Sequence, residues 1–100
     1  MVIYNVTIKV DKSVEAAWVK WMKEVHMDEL VATGLFSGHR LCKLLEQDEA
    51  DGVTYSAQYF CNTIDEYRKY IDEYSQQMRD KGMQLFGGKF IAFRSVMQEV

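Results

Sequence analysis

The sequence predicts an α+β fold of the ferredoxin-like type. That fold is a four-stranded antiparallel sheet with two helices on one face, in the order β-α-β-β-α-β. Three observations lead there. Residues 2–10 and 53–61 alternate between apolar and mostly polar side chains, the period-two pattern of half-buried strands. Residues 14–32 and 64–78 carry apolar side chains at helical spacing. Asp51-Gly52 is a hairpin signal between the second and third strands. Two right-handed β-α-β crossovers joined by a hairpin build this topology.

The first strand, Val2 to Val10, sets Val2, Tyr4, Val6, Ile8 and Val10 on one face and Asn5, Thr7 and Lys9 on the other. Asp11-Lys12-Ser13 ends it, and Ser13 is a candidate N-cap for the first helix, with Glu15 favouring the helix dipole. In that helix, from residue 14 to about 32, Val14, Trp18, Trp21, Met22, Val25 and Leu30 form one stripe. Gly34 stands where a left-handed C-terminal cap is wanted. The second strand is expected from about His39 to Glu49 and the third from Val53 to Cys61. Thr63 and Glu66 read as a capping box opening the second helix, whose stripe is Ile64, Tyr67, Ile71, Tyr74 and Met78. Gly82 is expected to end or kink that helix, Met83 to Phe86 to add a short turn, and Lys89 to Gln98 to form the last strand.

A length of 100 residues bounds the chain to one domain, residues 1–100. A domain this small buries about 60–68% of its unfolded surface, so association is a way to bury more. The net charge is −3, and the basic side chains are interleaved with acids, as in Asp65, Glu66, Arg68 and Lys69. Such a pattern lacks the basic stripe that nucleic-acid binding needs. An RNA-recognition module shares the element order, but Val53 to Tyr59 is neither basic nor Gly-rich, and its aromatics are expected to face the helices. No apolar run reaches membrane-span length, and Met1 to Asn5 lacks a secretory pattern. Cys42 and Cys61, with His26 and His39 far apart, make no metal-ligand spacing. Both cysteines read as reduced, core-type residues of a cytoplasmic protein.

The sheet face away from the helices is the informative one. It carries Ile3, Asn5, Thr7, Thr54, Ser56, Gln58 and Phe60, few of the Lys and Glu expected of a solvated face. The last strand adds Phe90, Ala92, Arg94 and Val96 or Ile91, Phe93, Ser95 and Met97, according to its register. Such a mixed face suits a partner surface, and a second copy of the chain is the expected partner. If Asp51-Gly52 is a two-residue turn, Cys42 lies opposite Cys61. A one-residue shift flips the second strand and brings Arg40 beside Ser56 and Gln58.

Trp21 to His26, Leu30, Ala32 to Leu35 and Arg40-Leu41 resemble the first helix and following strand of dimeric α/β-barrel proteins. That superfamily includes antibiotic-biosynthesis monooxygenases, EthD-like proteins and muconolactone isomerases. Nearly the whole chain is similar to an uncharacterised single-domain family within it. The similarity rests on Ile3 to Thr7, Trp21 to Lys23, Ala32 to Phe36, Tyr55-Ser56, Gln58-Tyr59 and Phe90 to Arg94. The resemblance implies two sheets packed face to face across a two-fold axis, with a pocket beside each. It also implies a role for a histidine late in the first helix, where His26 stands. Asp28 replaces the proline usual two residues later. No haem or flavin signature accompanies the match, so no cofactor is expected.

The candidate site residues follow. His26 is a proton shuttle in a pocket or an edge-of-core histidine. Asn5, Arg40, Ser56, Gln58 and Arg94 anchor a small anionic or carbonyl-bearing ligand or make hydrogen bonds within a dimer. Trp18, Trp21, Tyr55 and Tyr59 read as core, and Glu46, Asp48, Glu49 and Asp51 as a solvated hairpin tip. The expected function is a homodimeric barrel binding a small organic molecule. The alternative is a cofactor-independent monooxygenase or isomerase.

Overall fold

Strands β1 (Val2–Val10) and β3 (Val53–Cys61) form the centre of the sheet, flanked by β2 (Gly38–Lys43) beside β3 and β4 (Phe90–Gln98) beside β1. The structure is a computed structural model covering residues Met1–Val100. All neighbouring strands are antiparallel, and the order β2-β3-β1-β4 is that of a ferredoxin-like sheet. Val6 lies between Ala57 and Arg94, and Asn5 between Gln58 and Ser95. This register sets β4 unambiguously. Phe90, Ala92, Arg94 and Val96 share the face of Tyr4, Val6 and Ile8; Ile91, Phe93, Ser95 and Met97 share that of Asn5 and Thr7.

The helices pack on the Tyr4 face. Asp11, rather than Ser13, makes the first cap. Its Oδ1 accepts from the Ser13 backbone N–H at 2.8 Å and the Ser13 hydroxyl at 2.6 Å, opening a 3-10 turn at Lys12–Val14. A carboxylate two residues upstream reaches the free N–H groups better than a serine already inside the turn. Helix α1 (Glu15–Trp21) then passes into a π-helical turn at Met22–His26 and on into α2 (Met27–Ala32). The Met27 N–H donates to the Met22 carbonyl, the five-residue spacing of a π-turn. One extra residue thereby enters the helix, and the expected stripe breaks. Val25 is exposed, whereas Met27 is fully buried and His26 turns inward. Gly34 ends α2 with a positive φ, as expected.

Helix α3 (Ile64–Glu73) opens with the predicted capping box. The Glu66 N–H donates to Thr63 Oγ1 at 3.2 Å, and the Thr63 N–H to Glu66 Oε1 at 3.1 Å. The expected break at Gly82 falls elsewhere. The helix changes direction at Tyr74, and α4 (Ser75–Phe86) runs straight through Gly82 to a cap at Gly87. Gly82 is buried for space. A Cβ there meets Trp21 and Phe90 at 3.6 Å, so the small residue lets the helix lie close to both rings.

The hairpin also departs from expectation. Strand β2 stops at Lys43, and Cys42 pairs with Ser56 instead of Cys61. The acidic, strand-averse stretch from Glu46 to Asp51 forms a broad loop, with Asp48 Oδ1 accepting from the Ala50 N–H at 2.9 Å. The odd shift turns Arg40 onto the face of Ser56 and Gln58 and exposes Cys42, which is therefore not a core residue. The loop re-enters the sheet at Gly52, where φ is +142° and a Cβ would sit 2.6 Å from the Val10 carbonyl oxygen. Gly52→Ala is accordingly expected to lower stability by about 2–3 kcal/mol, seen as a lower denaturation midpoint at unchanged slope.

The core lies between sheet and helices. Tyr4, Phe36, Tyr59 and Tyr70 pack ring to ring with centroids 5.1–6.2 Å apart, and Trp18 covers Tyr55 at 5.1 Å. Tyr55 also donates to Glu15 Oε2 at 2.6 Å, and burial with that carboxylate pushes its hydroxyl up to about 12. The opposite sheet face has no helix over it. There Ile91 is 74% and Phe93 65% exposed.

Candidate functional site: a cavity between sheet and helices

A cavity of about 320 Å³ opens between β1 and β4 on one side and the helices on the other. The small side chains Val6, Ala92 and Gly82 leave the space, and Trp18, Trp21 and Tyr70 wall it. Its polar groups are the Tyr4, Tyr59 and Tyr70 hydroxyls, the Trp indoles, His26, and two guanidinium groups from Arg94 on β4 and Arg79 on α4. No carboxylate lines it. The two arginines belong to exposed residues, so the charge sits at the rim and the aromatic rings lie deeper.

The π-turn is what aims His26. Residues five apart lie about 140° apart around a regular α-helix. The wider π-turn brings them into line, and the Trp21 and His26 rings stack with centroids 4.4 Å apart and planes 20° from parallel. The imidazole Nδ1 is buried without a hydrogen-bond partner in the chain. Burial holds the His26 pKa down to about 4; Glu29 opposes the shift, and Lys81 and Arg94 reinforce it. The ring is neutral at pH 7. Burial also raises the Tyr4 and Tyr70 hydroxyls, while Arg94 and Arg79 both act against that rise. Both guanidinium groups thus act electrostatically on the same pair of phenols.

The predicted site residues fall into two groups on opposite faces of the sheet. His26 and Arg94 meet in the cavity. Asn5, Arg40, Ser56 and Gln58 lie on the open face and bond to one another or to near neighbours. Ser56 Oγ donates to Asn5 Oδ1 at 2.6 Å, Asn5 Nδ2 donates to Thr7 Oγ1 at 3.1 Å, and Arg40 donates to Gln58 Oε1 at 2.5 Å. The grouping of Arg94 with those four is therefore corrected, because β4 turns it inward beside Val6. Arg79 and Gly82 were not among the candidates, since an arginine beside the Met78 position of an amphipathic helix reads as surface. No three His, Cys, Asp or Glu side chains come together as a metal site. No helix is long and apolar enough to cross a membrane.

Comparison with known proteins agrees with this architecture. An ethyl tert-butyl ether D (EthD) family protein from Bacillus halodurans superposes with a TM-score of 0.64 at 9% identity, covering 100% of each chain. A dimeric ferredoxin-like protein from an uncultured marine organism gives 0.69 at 15% identity, over 100% of this chain and 95% of its own. SnoaB, a cofactor-independent oxygenase from Streptomyces nogalater, gives 0.63 at 14% identity, over 98% and 91%. At these identities the likeness shows the fold. No curated protein matches the chain in sequence. Residues 1–100 match the family described as Domain of unknown function (DUF4286), and the chain belongs to that family.

Proposed function

We propose that the protein is a homodimeric barrel that binds a small organic molecule in the His26–Arg94 cavity. The cavity itself is the observation that carries this reading. At about 320 Å³ it falls within the usual range of small-molecule sites, and it combines an apolar, aromatic wall with a few convergent polar groups. The orphaned Nδ1 of His26 supports it further, because a buried unsatisfied nitrogen is costly unless something bonds to it.

The dimer half of the proposal rests on the open face. Ile3, Phe60, Ile91, Phe93 and Met97 bring apolar area to it. Several of its polar groups are partnered within the sheet, Ser56 with Asn5 and Arg40 with Gln58, which lowers the cost of covering them with a second copy. A marine relative in fold is described as dimeric. The free Cys42 on this face and the buried free Cys61 suit a reducing, cytoplasmic setting.

Catalysis without a resident cofactor is a second reading, favoured by the same histidine. SnoaB, similar in fold, is a cofactor-independent oxygenase. A neutral imidazole in an aromatic-walled pocket can accept a proton from a bound acid. A pKa near 4 makes it a weak base when the pocket holds no anion, and a bound anion raises it toward its ordinary value.

Titration calorimetry with 2-naphthol tests the binding site. A saturable heat with one site per chain is expected in the native protein, and its loss in Ala92→Phe, which fills the cavity from β4, ties it to this space. Retention of the native circular dichroism spectrum separates filling from misfolding. Absence of a saturable heat in the native protein overturns the proposal.

A further inference from the structure

We infer that the cavity selects planar aromatic molecules carrying an oxyanion, which Arg79 and Arg94 hold at its mouth. The inference rests on the binding reading above and names the ligand's chemistry. Its first support is charge. Two guanidinium groups from different elements, α4 and β4, line one cavity that has no lining carboxylate. Neither takes part in an ion pair; the chain's salt bridges are His39–Asp28, Lys43–Glu49, Arg68–Asp65, Lys69–Glu73 and Lys81–Glu29. The two further charges acting on His26, Glu29 and Lys81, neutralise each other through their mutual contact. The local surplus is therefore positive in a chain whose net charge is −3. Two forked donors at a half-enclosed rim are the usual recognition of a carboxylate or ionised phenol.

The second support is shape. Behind the arginines the walls are rings: Trp18, Trp21, Tyr4, Tyr59, Tyr70 and Phe90. Flat faces stack on flat ligands, and an aliphatic chain gains less from them. The third is the arrangement of polar depth. The cations lie outermost, while the uncharged imidazole and phenols lie further in. A ligand charged at one end and apolar along its body matches that order, because its charge stays near solvent and is not stripped of water without replacement.

Calorimetry at pH 7 and low salt with 2-naphthoate and 2-naphthamide provides the test. The two have nearly the same shape and differ in charge. Naphthoate is expected to bind at least ten-fold more tightly, and the preference is expected to vanish in the Arg79→Gln/Arg94→Gln double variant, whose substituted residues are exposed. Adding salt should weaken naphthoate binding and leave naphthamide binding nearly unchanged. Equal affinities for the two probes, or a preference that survives in the double variant, overturn the anion assignment while leaving the binding site standing. Failure of both probes to bind the native protein overturns the underlying site as well.

Discussion

A Phe93→Glu variant is expected to scatter light as an 11.7 kDa monomer at micromolar concentrations where the native chain scatters as a particle of twice that mass. Phe93 is 65% exposed in the isolated chain, so the substitution removes little packing within it. Its circular dichroism and denaturation midpoint, measured under monomeric conditions, should stay close to native. In a two-fold dimer of facing sheets, each substitution occurs twice across one interface. Burying an unpaired carboxylate is strongly unfavourable, on the order of several kcal/mol for each copy. Dissociation should therefore increase by at least about a thousand-fold for a loss of some 4 kcal/mol or more. A conservative Phe93→Leu control should remain dimeric. A native chain that is monomeric at micromolar concentration defeats the two-sheet barrel.

The second large effect is acid sensitivity through His26. Burial lowers its folded-state pKa to about 4, below the ordinary value of 6.5. Above pH 6.5 the ring is neutral in both folded and unfolded chains, and its contribution is constant. As the pH falls, the unfolded chain takes up the proton first, so stability is lost progressively between pH 6.5 and about 4. Below that range both states are protonated and the loss levels off. Each pH unit of separation corresponds to about 1.4 kcal/mol, giving a loss of about 3 kcal/mol. Carboxylates titrate in part of the same window, so the measured quantity is a difference between proteins. The fall in unfolding free energy from pH 7 to pH 4 should be about 3 kcal/mol larger in the native protein than in His26→Leu. Equal slopes would mean that the imidazole is charged at little cost and that the buried, stacked environment is wrong. Glu29, Lys81 and Arg94, the charged groups that act on the ring, remain in both proteins.

Much of the fold can be read from side-chain periodicity. The alternation of the central strands β1 and β3 fixes which of their side chains face the helices, and the Thr63–Glu66 box marks the start of α3 through local hydrogen bonding alone. Strand β2 was less legible because its length depends on where a charged loop begins. Asp51-Gly52 is a true turn, with the Gly52 N–H donating to the Glu49 carbonyl at 3.3 Å, but it closes a loop and not a two-residue hairpin. Cysteine opposition, the face of Arg40 and the burial of Cys42 all hung on that one register. The cavity was half legible. His26 and Arg94 stood out by residue type, but their meeting depends on a π-turn and on which way β4 faces. Neither has a sequence signal in a stretch without proline or glycine.

The π-turn has a bearing on how such chains tolerate change in length. Before Trp21 the apolar phase of the helix is set by Trp18; after His26 it is set by Met27 and Leu30, advanced by one position. The first helical stretch is thus two amphipathic helices in different phases, spliced at five residues. Surface loops absorb single insertions and deletions with little consequence. Here the loss of one residue between Met22 and His26 would merge the phases into one continuous helix: Trp18, Met22, Met27 and Leu30 would fall on one seam, and Trp21 and the histidine would stand four apart, still neighbours on a regular α-helix. The π-turn is thus the point in this helical stretch where a residue can be lost without turning either the seam or the histidine away. The spacing between Trp18 and Leu30 is a coordinate that packing alone would have chosen shorter.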